Sequence, residues 1–200
     1  MDNLVDFINK KINLQEDIVN LEFSSIHMVI NSINTIEFKN CKFVNSSFEG
    51  SNLNKFSFVN TSFENVNLSN CNFEDSSFVN VNFNNCKLVG SSFINANFLS
   101  CFFRNCNANY VNFNTSILKD FTILDSTLKF SNFDNSKLKK FYINNSSLSC
   151  SSFLHTNLNN IDFSTNDISG IILNKDELAG LVVNVEQSIE LSKLLGIIIK

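Results

Sequence analysis

Thiols, imidazoles and hydroxyls are the groups in this chain able to act as nucleophiles, redox partners or metal ligands; it carries six cysteines, two histidines and many serines. Their spacing points away from that chemistry. No CxxC pair and no Cys/His ligand spacing occurs, which removes the usual zinc and thiol-exchange signatures. Cys41, Cys71, Cys86, Cys101 and Cys106 each stand two residues ahead of a Phe, Leu or Ala. The position is shared with Ser, Thr, Ala and Val in many other units, which points to selection for small size, and the cysteines read as reduced core residues. His27 and His155 are far apart and read as solvated surface groups, and no phosphate loop or Ser/His/Asp arrangement is present. The expectation is a protein that is not an enzyme and takes no cofactor, metal or small-molecule substrate.

The elements behind this pattern follow from a period of five. From Phe38 to Leu173 in steps of five, all 28 positions except Ala108 hold Phe, Leu or Ile. A helix advances about 100° per residue, so five-residue steps would scatter these side chains around its axis. Positions two apart, such as Cys71 and Phe73 or Val81 and Phe83, instead share one face of a strand. Because five is odd, a continuous strand would flip alternate Phe residues outward, so the chain must turn once per unit. Asn60, Asn65, Asn70, Asp75, Asn80, Asn85 and Gly90, each two residues after an apolar centre, are suited to such turns. A short period sustained over this length predicts a solenoid.

Composition agrees. Proline is absent, as befits a chain whose backbone N–H groups sit in ladders. No apolar run approaches the roughly 18 residues of a membrane span, and the start, MDNLVDFINKKIN, resembles no leader, so the expectation is a cytoplasmic protein without membrane contact.

Ser76-Ser77-Phe78-Val79-Asn80, Val81-Asn82-Phe83-Asn84-Asn85 and Ser91-Ser92-Phe93-Ile94-Asn95 resemble the pentapeptide repeat family: a small residue, a polar one, Leu or Phe, then two more polar ones. The resemblance covers residues 36–175. It implies an all-β chain, a right-handed quadrilateral parallel β-helix with four units per coil. Seven coils at about 4.8 Å would make a rod about 34 Å long, with weaker matches at Phe23, Met28 and Ile33 adding part of another. Twenty-residue stacking would align Asn40, Asn60 and Asn80 along one edge and Asn45, Asn65, Asn85 and Asn105 along the next. The organisation expected is an N-terminal cap over residues 1–20, the repeat over 21–175 and a C-terminal cap and dimerisation segment over 176–200.

Leu4, Ile8, Ile12, Gln15 and Val19 follow helical spacing, which predicts an amphipathic capping helix over 3–19. At the other end Asn184 and Gln187 form a capping-box start, Gly196 a stop, and Leu181–Val183 and Ile197–Ile199 flank the helix as short strands. Leu181, Val183, Ile189, Leu191, Leu194, Leu195 and Ile197 make this ending more apolar than a cap requires, which points to a homodimer. Val185-Glu186-Gln187-Ser188-Ile189 leading into Leu194-Leu195-Gly196-Ile197 resembles the ending of the quinolone-resistance (Qnr and MfpA) branch. That resemblance implies two rods joined end to end, imitating duplex DNA to bind DNA gyrase and topoisomerase IV.

Charge departs from a DNA mimic: ten acids and ten bases leave residues 36–173 neutral, and the net charge of −4 comes from the ends. Residues 101–150 carry six bases against three acids. Direct nucleic-acid binding is not expected of this chain. The repeat weakens at 102–110, where Phe102 stands outward, Ala108 underfills its centre and Tyr110 replaces a turn Asn. This stretch reads either as a bulge or as a partner contact formed by Phe102, Arg104, Asn109 and Tyr110. An outward row of Val59, Val79 and Leu99 is a second candidate contact.

Overall fold

The computed structural model describes residues 2–31 and 34–199, the side chains of 2–4 excepted. Among these residues, eleven short strands form one parallel sheet wound into a solenoid of about six turns. The strands are β1 (Ile18–Val19), β2 (Glu22–Ser24), β3 (Glu37–Lys39), β4 (Lys42–Val44), β5 (Ser57–Val59), β6 (Ser62–Glu64), β7 (Ser77–Val79) and β8 (Asn82–Asn84). They continue in β9 (Asn97–Arg104), β10 (Ile117–Leu124) and β11 (Lys137–Asn144). Helix α1 (Asp2–Leu14) precedes them and α2 (Val185–Ser192) follows. Every pairing joins residues 20 apart, as Phe38 with Phe58 and Phe58 with Phe78, except that Asn31 pairs Asn52. The seventh coil keeps its buried centres, Leu158, Phe163, Ile168 and Leu173, but its ladder is reduced to single bridges such as Ser147–Asp167 and Ser152–Ile172.

Three positions of each unit have distinct roles. The apolar centres point inward and their rings stack coil on coil: Phe58 on Phe78 at 5.2 Å, Phe63 on Phe83 at 4.8 Å, Phe73 on Phe93 at 4.9 Å. The residue two after each centre has positive φ at every fifth position from Asn40 to Asn160, which is why Asn, Asp and Gly crowd it. At Gly90 a Cβ would meet Asn70 Oδ1 at 2.7 Å, so a side chain there would have to displace the Asn70 amide. Asparagine at these corners does more than tolerate the backbone. Asn40 donates to Asn20, Asn60 to Asn40 and Asn80 to Asn60, at 2.9 to 3.1 Å, and Asn65 donates to Asn45 on the next edge. The small inward position is selected for hydrogen bonding as well as size. Ser76 Oγ accepts from Phe56 N at 3.1 Å and donates to Leu53 O at 2.8 Å, tying two coils together inside the core. Ser126 and Ser146 accept in the same way from the coil below, while Cys71 and Cys101 thiols donate weakly to carbonyls there.

Thr115 shows the corner rule violated. This β-branched residue has φ 60 between Asn95 and Asn135 on the same edge, and its hydroxyl donates to Asn95 Oδ1. Thr115→Asn keeps a donor there and relieves the left-handed strain. It is expected to raise stability by about 1 kcal/mol in urea titration.

Both ends of the rod depart from the simple repeat. The helical spacing over 3–19 overran: α1 stops at Leu14, Gln15 takes φ 55, and Ile18–Val19 join the ladder as β1 against β3. A strand edge open at Phe38, together with the strand preference of two β-branched residues, outweighs the helical spacing. Ile8 and Ile12 of α1 cover the partial coil that precedes Phe38, where Phe23 is buried and Met28 partly so; Ile33 lies outside the described residues. At the far end Asn184 caps α2, accepting from Gln187 N while its own N–H donates to Gln187 Oε1. Gln187 Nε2 donates to Phe163 O and Asn166 O, so this helix closes the last coil through the open carbonyls of its edge. Gly196 has φ 74, as a helix stop requires. The strands expected around α2 are not both formed: Val182 bridges Asp162, whereas residues 197–199 have no ladder to join and form no strand.

Near this end three serines converge on one carboxylate. Hydrogen bonds from Ser149, Ser169 and Ser147 hold the Asp167 carboxyl well below the usual range. A depressed carboxyl pKa stabilises the fold above its unfolded value near 4, and that contribution is lost as pH falls through the folded value. The stability gap between the native chain and Asp167→Asn should therefore be full at neutral pH and shrink below about pH 4 in thermal melts.

Candidate functional site

The thiols settle first. Burial pushes Cys71 up to about 12 and Cys101 up to about 11, while a hydrogen bond to Cys106 together with burial raises Cys86. Raised thiols are poor nucleophiles, so these groups act as packing and as weak donors. Among the described residues, no three His, Cys, Asp or Glu side chains converge on a metal-sized site. A concavity of about 550 Å³ forms an open trough along the Asn45, Asn65 and Asn85 edge between His27 and Lys87. The features left for recognition are those of the outer surface.

Strand β9 organises the first of them. Where earlier coils break into separate three-residue strands, Asn97–Arg104 runs unbroken around a corner at Ser100, whose φ is 56. The stretch at 102–110 therefore holds no bulge: Phe102 pairs Asn82 and Thr122 in the ordinary register. Phe102 is partly buried on the outer side, and the Arg104 guanidinium lies 5.6 Å from its ring centroid. Around the corner on the same strand, Leu99 is 39% exposed and stacks in register on Val79 and Val59. The two candidate contacts, read separately from the sequence, thus join across one corner.

Asn109 and Tyr110 do not belong with them. Ten residues is half of a 20-residue coil, so the Tyr110 corner lies diagonally across the rod from Ser100. Asn109 Oδ1 accepts from Lys129 N at 2.9 Å and is occupied in the coil contact. Tyr110, 58% exposed, stacks on Phe130, 51% exposed, with centroids 5.1 Å apart. Phe130 was not singled out from the sequence, although adding 20 to 110 reaches it. Ala108 is fully buried, and on the same coil Phe103 turns edge-on to Phe83 at 69°, ending the ring stack of that face.

The same addition of 20 finds what composition only hinted at. Beyond Leu99 the outward row continues into Lys119 and then Lys139, paired with each other on β10 and β11. Lys137 and Lys140 flank Lys139 and all four are exposed. At the C-terminal end, Ile189, Leu194, Leu195 and Ile197 are exposed, as are Val185 at 72% and Ile198 at 86%. Leu191 is buried against the last coil, and Leu181 and Val183 pack partly against it. Leu191 is thus a cap residue, drawn inward because the helix must close the core before it can offer a surface.

Comparison with known proteins places this architecture. A family model described as pentapeptide repeat region matches residues 76–153, and one described as pentapeptide repeats (8 copies) matches 37–70 and 57–93. No curated protein matches the sequence. Among solved structures, a trypsin-treated variant of QnrB1, a plasmid-mediated fluoroquinolone resistance protein, is 16% identical over 92% of this chain and 99% of that one, with a TM-score of 0.53. A second trypsin-treated QnrB1 variant gives a TM-score of 0.49 at 16% identity, covering 90% of this chain and 99% of that one. HetL, from the cyanobacterium Nostoc sp. strain PCC 7120, gives 0.39 at 14% identity, covering 90% of this chain and 92% of that one. With a 20-residue parallel ladder, inward Phe and Leu, left-handed corners at every fifth residue and family matches from residue 37 to 153, the chain belongs to the pentapeptide repeat family.

Proposed function

We propose that this protein is a Qnr-like, non-catalytic rod that pairs end to end through its C-terminus and binds a type II topoisomerase, DNA gyrase or topoisomerase IV, in the cytoplasm. It takes the place of duplex DNA by shape and so alters inhibition by quinolones. The observation that carries this reading is the apolar end beyond the cap, where Val185, Ile189, Leu194, Leu195, Ile197 and Ile198 are all exposed. A closed rod has no need of such a surface unless it meets another. Among the described residues no helix is long and apolar enough to cross a membrane, so a lipid-spanning role for this end has no support.

The reading is tested by adding purified protein to gyrase supercoiling reactions with and without ciprofloxacin. Protection against the drug, or inhibition at higher protein concentration, is the expected result. Absence of both overturns it. A second reading, a scaffold for an unrelated protein, is favoured by the charge of the coil: ten acids against ten bases do not reproduce a polyanion. It predicts that pull-down from a lysate recovers no topoisomerase.

A further inference from the structure

One face of the rod carries an unusual sequence of outward groups. Val59, Val79, Leu99, Lys119 and Lys139 stand on five successive rungs in strict register. The lysine pair is like-charged at a ladder spacing of about 4.8 Å, an arrangement that destabilises a sheet. Lys137 and Lys140 add to it, and the Asp120 carboxylate next to Lys119 in sequence accepts from Ser100 Oγ at 2.9 Å. Among the described residues the only ion pairs are Lys11–Glu16 and Lys42–Glu64, so none of these four lysines makes an ion pair within the fold. An apolar half continuous with an unpaired basic half is a surface with a definite complement.

We propose that this face binds an acidic amphipathic helix of a partner protein, laid along the rod with its apolar stripe over Val59, Val79 and Leu99 and its carboxylates over Lys119 and Lys139. Spacing selects the helix. Its stripe repeats about every 5.4 Å, close to the rung spacing of about 4.8 Å, whereas an extended peptide presents one face about every 6.7 Å. Five rungs span about 19 Å, or about 13 helical residues. The apolar half argues against a nucleic acid, because Val59, Val79 and Leu99 offer nothing to a phosphate. The inference does not rest on the topoisomerase reading and stands whether or not supercoiling responds.

The test uses the full-length protein and a fluorescein-labelled helical peptide of about 16 residues, with leucines on one half of a single stripe and glutamates on the other. A scrambled peptide of the same composition and a single-stranded oligo-dT of similar length serve as comparisons. Fluorescence anisotropy should show saturable binding of the striped peptide that weakens at raised salt. Binding should fall roughly tenfold or more in both the Lys119→Glu/Lys139→Glu double variant and Leu99→Asp, with melting temperatures close to that of the parent confirming the fold. Failure of the striped peptide to bind, equal binding of the scrambled peptide, indifference to the lysine reversal, or tighter binding of oligo-dT would each overturn the proposal.

Discussion

Phe83→Ala is expected to lower the unfolding free energy by about 3–5 kcal/mol, measured by urea titration with circular dichroism. Phe83 is fully buried, and its ring centroid is 4.8 Å from those of both Phe63 below and Phe103 above. Truncation removes the transfer free energy of a buried aromatic, about 1.5–3 kcal/mol, and leaves a cavity between two coils. Relaxation cannot fill it, because backbone hydrogen bonds on either side, such as Asn82 N to Thr61 O and Phe102 N to Val81 O, hold the rungs apart. A loss below about 1 kcal/mol would mean that the ring is not buried as the stack requires.

The second large effect lies at the end of the rod. Leu195→Asp/Ile198→Asp in the full chain should convert a dimer to a monomer in light scattering, with the melting temperature of the rod little changed. Both side chains are exposed beyond the cap, so a charge there is solvated in the monomer and buried only at an interface. Deleting everything after residue 180 would be a poorer experiment. It also removes Gln187, which satisfies Phe163 O and Asn166 O, and Leu191, which covers the last coil. A parent chain that is already monomeric would refute end-to-end pairing and with it the main support for the Qnr-like reading.

The repeat was legible because its signal is local and redundant. Inward direction follows from strand alternation within Val81–Phe83, and the turn at Asn85 follows from what its type tolerates; neither needs a distant neighbour. The 20-residue ladder came from the family resemblance and proved to govern the surface too. It joined Leu99 to Val79 and Val59 as expected, and it also carried the row on to Lys119 and Lys139 and placed Phe130 over Tyr110. Those contacts were missed where the chain was read as a stretch, 102–110, and not as columns of residues 20 apart. The double role of Ser76 was hidden for another reason: a small residue looks the same in sequence whether space or a hydrogen bond selects it.

The sequence by itself determined the period, the inward centres, the corners and the capping box of α2, because each depends on a few adjacent residues. Only the tertiary structure decided where α1 ends, that residues 197–199 form no strand, that Leu191 turns inward, and that Phe102 and Tyr110 lie on different corners. Each of these is fixed by whether a partner from another coil is present: an open ladder edge draws in Ile18, and its absence leaves Ile198 bare.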